Sequence, residues 1–158
     1  MNKTKHYIKN TTNPFECMSA EARYWIGYIL ADGHLVFNEL VRAYQISLFS
    51  KDEDIINKFK QFIGPKARIY KRPTGLYQVA YNSKPVTKWF MDTFQVPQNK
   101  SQTLNPNISL DWDIIHGYFD GDGSVRLTGT HYECKFTTGS KVWAERIQKF
   151  LQSNEIEN

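Results

Sequence analysis

The stretch GYFDGDGSV, residues 117–125, sets two aspartates and three glycines directly after a segment with helical character. Upstream, GYILADGHL at 27–35 is nearly the same phrase, 90 positions earlier. In each copy two small residues stand four apart and an aspartate follows at once: Gly27, Ala31 and Asp32, then Gly117, Gly121 and Asp122. Residues at i and i+4 share one face of a helix. Glycine inside a helix costs about 1 kcal/mol relative to alanine. Its use at Gly27 and Gly117 therefore points to helix backbones that approach closely. Helices packed through these faces bring Asp32 and Asp122 side by side.

Two carboxylates that close repel, and the repulsion is relieved by a shared proton or a divalent cation. Hard oxygen donors suit Mg²⁺, and so small a cage leaves room for water and phosphate oxygens, the layout of metal-assisted phosphodiester hydrolysis. A lone Asp-Gly pair commonly does no more than end a helix; here it is duplicated, with matching small residues before it. A calcium-loop reading of Asp120–Ser124 fails. Counted from Asp120, the glycine and glutamate such a loop needs at its sixth and twelfth places are Val125 and His131.

The duplication extends past the motif. Ser19 caps a helix, AEARYWIGYILA, which stops at Asp32-Gly33. Residues 34–49 read as two strands about a turn near Asn38-Glu39, and SKDEDIINKFKQF as an amphipathic helix ended by Gly64-Pro65. KARIYKR, the turn Pro73-Thr74-Gly75 and LYQVAYN form a second hairpin, and a helix from Lys84 closes the unit as α-β-β-α-β-β-α. Asp111-Trp112-Asp113 then opens the pattern again, with a hairpin around Gly129 and the helix SKVWAERIQKFL. After that helix only a few residues follow, so the second copy reads as αββα. The expected fold class is α+β: a duplicated αββαββα repeat packed through two signature helices, its antiparallel sheets forming a saddle, the second repeat incomplete. The divisions are an N-terminal arm (1–18), a first repeat (19–97), a connector (98–110) and a truncated second repeat (111–158).

Composition adds bounds. At 158 residues with 41% hydrophobic content, the chain can bury a core as one domain or as two halves sharing one. No apolar run reaches membrane-spanning length and MNKTKHYIKNTTNPFE is not a signal peptide, so no membrane partner is expected and the location is cytoplasmic. Cys17 and Cys134, far apart and without CxxC spacing, read as buried thiols rather than a disulfide or zinc site. A net charge of +4 leans towards a polyanionic partner.

The strands offer a surface for one. Alternation turns Val125 and Leu127 inward with Tyr132, Cys134 and Phe136, and Ser124, Arg126, Thr128, Glu133, Lys135 and Thr137 outward. In the first copy Lys66, Arg68, Tyr70 and Arg72 share a face, as do Gln78, Ala80 and Asn82, and likewise Gln45 and Ser47. A ribbon bearing Arg, Gln, Asn, Ser and Thr can read base edges in a major groove. A solvated sheet face is the plain alternative; agreement among four strands above paired carboxylates favours double-stranded DNA.

Aligned on WIGYILADG (25–33) and IHGYFDGDG (115–123), the sequence resembles the LAGLIDADG homing endonucleases from about residue 19 onwards. The resemblance implies a pseudo-symmetric monomer when both repeats are complete, and self-association when one is cut short. It implies a long asymmetric DNA site, with Asp32 and Asp122 as ligands of Mg²⁺ or a similar ion such as Mn²⁺. It also implies a lysine that orders active-site waters, matched by Lys100 in QNKSQTL, for which a solvated loop lysine is the plain alternative; its partner would fall near 190. Leu30 fills the sixth motif place, acidic in the second copy as Asp120, which the family turns away from the metal. Intron, organelle or phage origin fits such an element. An intron RNA maturase and a transcription regulator share the fold; both aspartates present argue against the regulator.

Overall fold

Each helix starts where a short polar side chain takes up an otherwise unpaired backbone N–H. Ser19 accepts from the Ala22 N–H at 3.1 Å, Asp111 from Ile114 at 2.9 Å and Ser140 from Trp143 at 3.3 Å. The computed structural model describes residues 13–155. It contains α1 (Ala20–Asp32), β1 (His34–Asn38), β2 (Ala43–Ser50), α2 (Glu53–Ile63), β3 (Arg68–Lys71), β4 (Tyr77–Asn82) and α3 (Lys84–Phe94). There follow α4 (Trp112–Asp122), β5 (Gly123–Thr128), β6 (His131–Phe136) and α5 (Lys141–Ser153). The order is αββαββα then αββα, the duplicated α+β plan expected from the pattern.

The first repeat holds a four-stranded antiparallel sheet of order β1-β2-β4-β3. Its two hairpins meet through β2 and β4, with Ile46 opposite Tyr81 and Leu48 opposite Val79. The helices interlace over it: α2 lies on β4, β2 and β3, and α3 on β2 and β1. Period-two alternation sends Leu35, Ile46, Leu48, Val79 and Tyr81 into the core, where they meet Ile56, Phe59, Val86 and Phe90. The segment read as an arm ends in that core. Phe15 is fully buried, its ring 5.2 Å from those of Phe62 and Phe90. Residues 1–12 of the arm lie outside the described ones.

The second repeat has one hairpin, β5 against β6, with Val125 opposite Cys134 and Leu127 opposite Tyr132. These side chains, expected inward, are exposed: Val125 58%, Leu127 60% and Tyr132 76%. The reason is the interlacing. In the first repeat the helix over β1 and β2 is α3, and among the described residues the second repeat has no counterpart of it. The helix α5, counterpart of α2, packs instead under α4, with Trp143 5.6 Å from Tyr118 and Phe150 5.1 Å from Trp112. Both cysteines, read as buried thiols, are free and exposed: Cys134 lies on this uncovered face and Cys17 in the turn before α1.

Candidate active site and nucleic-acid face

The small residues of the two motifs let α1 and α4 touch backbone to backbone. A Cβ on Gly27 would stand 2.1 Å from the Ile114 carbonyl oxygen, and one on Gly117 1.9 Å from that of Tyr24. Adding 90 to Tyr24 and Gly27 gives Ile114 and Gly117, so the two contacts are one contact seen twice about a pseudo-two-fold axis. Ala31 and Gly121 meet across that axis; a Cβ on Gly121 would lie 2.6 Å from the Ala31 Cβ. Across one end of the interface, Arg23 Nε lies 2.9 Å from Asp111 Oδ2, and its Nη2 donates to Asp113 Oδ2 at 2.6 Å. At a third exposed, this link contributes little beside the backbone contact. The Tyr24 hydroxyl donates to Asp120 Oδ2 at 2.8 Å, so the sixth-place acid serves the helix pair.

Asp32 and Asp122 are the last residues of α1 and α4 and emerge together. Partial loss of hydration pushes the Asp32 carboxyl above the usual carboxylate range, the Asp122 charge adds to this, and Lys100 opposes it. Burial pushes Asp122 up as well, again opposed by Lys100. The lysine is no solvated loop residue. It is 8% exposed, and its Nζ donates to the Ala31 carbonyl oxygen at 2.7 Å. Burial pulls the Lys100 ammonium below the usual lysine range, with Asp122 and Asp32 acting the other way. It divides two recesses: one of about 110 Å³ with Asp122, Tyr118 and Thr137, and one of about 330 Å³ with Asp32, His34 and Phe49.

The donors present are carboxylate and carbonyl oxygens, which fit a hard divalent cation. Among the described residues no group of three or more His, Cys, Asp or Glu side chains is placed to hold a metal. Two acids alone leave most of an octahedral shell to water and phosphate, which suits Mg²⁺ or Mn²⁺ better than a structural cage.

On the four-stranded sheet the register places Gln45, Ser47, Arg68, Tyr70, Gln78 and Asn82 on one face, opposite the core side. Not all of them are accessible. Ser47 is fully buried and Gln78 is 7% exposed, because the centre of the sheet lies beneath longer neighbours. They shape the face rather than reach from it. Gln45 donates to Asn82 at 2.9 Å, and Arg72 donates to Gln78. The strand β3 is shorter than the reading of 66–72, so Lys66 and Arg72 flank it, both exposed. With Arg68 they make a basic rim. On the second hairpin Ser124, Arg126, Thr128, Glu133 and Lys135 share the polar side, all exposed, and Thr137 follows β6.

Sequence reasoning passed over His34, Tyr118 and Gln98. His34 follows the first motif directly, as Ser124 follows the second, and that position was the available signal. Gln98 closes the outer edge of β1: its side chain accepts from the Phe37 N–H at 3.1 Å and donates to the Phe37 carbonyl at 2.9 Å. Nothing in the sequence marked it.

Fold and site together define a two-repeat α+β protein with an acidic pair on its internal axis. The chain belongs to the LAGLIDADG family: the model of the LAGLIDADG-like domain matches residues 19–95 and 112–158. Among solved structures it is similar to I-DmoI in complex with DNA and Ca, with 18% identity, a TM-score of 0.60, and coverage of 90% of this chain and 73% of that one. A variant of I-DmoI with its target DNA in the presence of Mn matches at 16% identity and a TM-score of 0.57, over 90% of this chain and 77% of that one. The homing endonuclease I-WcaI bound to its DNA recognition sequence matches at 13% identity and a TM-score of 0.52, over 99% and 76%. At these identities the likeness establishes the fold. No curated relative matches the sequence significantly. Among the described residues no helix is long and apolar enough to cross a membrane.

Proposed function

We propose that the chain is a site-specific endonuclease of the homing type that hydrolyses double-stranded DNA at a long asymmetric site. It uses a divalent cation, Mg²⁺ or Mn²⁺, and works in the cytoplasm, or in the organelle or phage-infected cell carrying its mobile element. The observation that carries this reading is the meeting of Asp32 and Asp122 on the pseudo-two-fold axis, with the Lys100 ammonium buried beside them. The DNA in the I-DmoI and I-WcaI complexes, and the Ca and Mn named with I-DmoI, support it.

Asp32 and Asp122 would hold the cation, which when bound lowers the pKa of a water and offsets charge on a phosphate. Lys100, oriented by the Ala31 carbonyl, keeps positive charge where a phosphodiester gathers negative charge on its way to the transition state. The pseudo-two-fold axis matches the local symmetry of a duplex, so one acid faces each strand. The polar sheet face and its basic rim hold the flanking DNA in register.

The test starts from a library of random duplexes. DNA bound in Ca²⁺ is recovered, sequenced and then incubated with Mg²⁺. Enrichment of one long asymmetric sequence that is then cut at a fixed position is expected; no enrichment, or bound DNA that stays intact, overturns the reading. Lys100→Met keeps the volume and removes the charge. It is expected to slow cleavage about 100-fold with DNA affinity little changed. Its melting curve checks that the variant is folded; a cleavage rate equal to wild type would remove Lys100 from the mechanism. Arg68→Ala should weaken DNA binding and reduce the slope of log K against log salt by about 1. A slope identical to wild type would mean that β3 does not touch phosphate.

A further inference from the structure

On the polar face of the first repeat's sheet, one side-chain amide is fastened before any ligand arrives. Antiparallel partners share a face, so the register sets Val36, Gln45 and Asn82 side by side in one row across β1, β2 and β4. Gln45 donates through Nε2 to Asn82 Oδ1 at 2.9 Å. An amide nitrogen carries two N–H bonds, so Gln45 keeps one donor and its Oε1 acceptor for a ligand. Val36 and Gln45 are partly exposed and Asn82 is exposed, so the row can be reached from outside. Val36 is an apolar side chain on a polar face, apart from the hydrophobic core.

We propose that this row reads a single A·T base pair in the major groove, with Gln45 on adenine and Val36 on thymine; the inference rests on the endonuclease reading. The donor and acceptor left to Gln45 complement adenine, whose groove edge offers N7 as acceptor and the N6 amino group as donor. Guanine offers two acceptors, N7 and O6, and would set O6 against Oε1. The order along the row fits as well. Nε2 is committed to the β4 side, which turns Oε1 towards β1 and Val36. Across an A·T pair the groove presents N7, N6, O4 and then the thymine C5-methyl group, so the row beyond Oε1 meets a methyl, for which Val36 is an apolar contact. A T·A pair reverses the order and sets the methyl against Asn82. A G·C pair puts the cytosine amino group against Val36, which has no acceptor to offer it. Asn82 is a positioning residue: it holds the Gln45 amide in one orientation, so a flexible side chain is ordered before DNA binds.

The Ca²⁺ selection from random duplexes is repeated with Gln45→Ala and Gln45→Arg. The wild-type site should hold dA in one column about 10-fold or more over the other bases. In Gln45→Ala that column alone loses its preference, and in Gln45→Arg it turns to dG, whose N7 and O6 suit two donors. Two altered duplexes then test single atoms, with thermal melts confirming that every variant is folded. Replacing that dA by 7-deazaadenine removes the N7 acceptor; it should weaken wild-type binding about 10-fold and leave Gln45→Ala unaffected. Deoxyuridine in place of the paired thymine removes only the methyl group; it should weaken the wild type and leave Val36→Ala unaffected. Asn82→Ala should lower the preference for dA without changing which base is preferred. A wild type that selects no sequence overturns the endonuclease reading and this proposal together. A selected site in which Gln45→Ala changes no column, or changes one that did not hold dA, overturns the base assignment alone. So does a wild type indifferent to 7-deazaadenine.

Discussion

Replacing Asp32 by asparagine is expected to slow DNA cleavage at least ~1000-fold, the rate equivalent of the several kcal/mol a bound cation supplies. Binding to the same duplex should persist, because the sheet face is untouched. Asp122→Asn should do the same from the other strand's side. The variants carry a second, opposite expectation. Both carboxyls titrate above their ordinary range in the folded chain, chiefly through burial. The folded state therefore holds protons more tightly than the unfolded one, and stability falls as pH rises through the folded pKa values. That cost is fully present at neutral pH in metal-free protein, and asparagine removes it. Metal-free Asp32→Asn should melt at a higher temperature than wild type at pH 7, with the difference shrinking as pH is lowered. A variant that cuts at the wild-type rate would remove the acid pair from the mechanism.

The second large effect concerns Gly117. Valine there would drive a side chain into the Tyr24 carbonyl, since even a Cβ stands 1.9 Å from it. The atom in the way is backbone, so relief requires the two helices to separate along their whole contact. A loss of more than about 4 kcal/mol is expected, enough to unfold a domain of ordinary stability. Urea denaturation followed by circular dichroism measures it. Gly27→Val should be comparable, by the pseudo-symmetry. Gly121→Ala clashes chiefly with the Ala31 methyl group and should cost about 1–3 kcal/mol, as overpacking does. A wild-type midpoint for Gly117→Val would mean that the helices do not pack as described.

The duplicated phrase around Asp32 and Asp122 was legible because it combines two periodicities: small residues at helical spacing within each copy, and 90 positions between copies. Strand alternation likewise placed Gln45, Arg68, Tyr70 and Asn82 on one sheet face, since side chains must alternate along a strand. What alternation cannot supply is depth. Ser47 shares that face yet is fully buried, because burial depends on which neighbours flank it across the sheet. Cover was illegible for the same reason. Val125 and Leu127 follow the pattern of core residues, and they lie open because the helix that covers the equivalent strands comes from a different part of the repeat. Lys100 was found by resemblance alone; nothing in NKSQ announces that a lysine is about to be buried against a carbonyl.

The interlaced helices and the 90-residue step between the motifs also fix an order in time. Contacts within a hairpin close short loops, those of α3 with β1 span most of a repeat, and those of α1 with α4 join the two repeats. Loop-closure entropy makes the longest-range contact the last to repay its cost. A chain emerging from the ribosome thus carries Asp32 long before Asp122 exists to meet it. The acid pair comes into being only after α4 has docked, so an unfinished chain holds the first repeat's sheet before it holds the site.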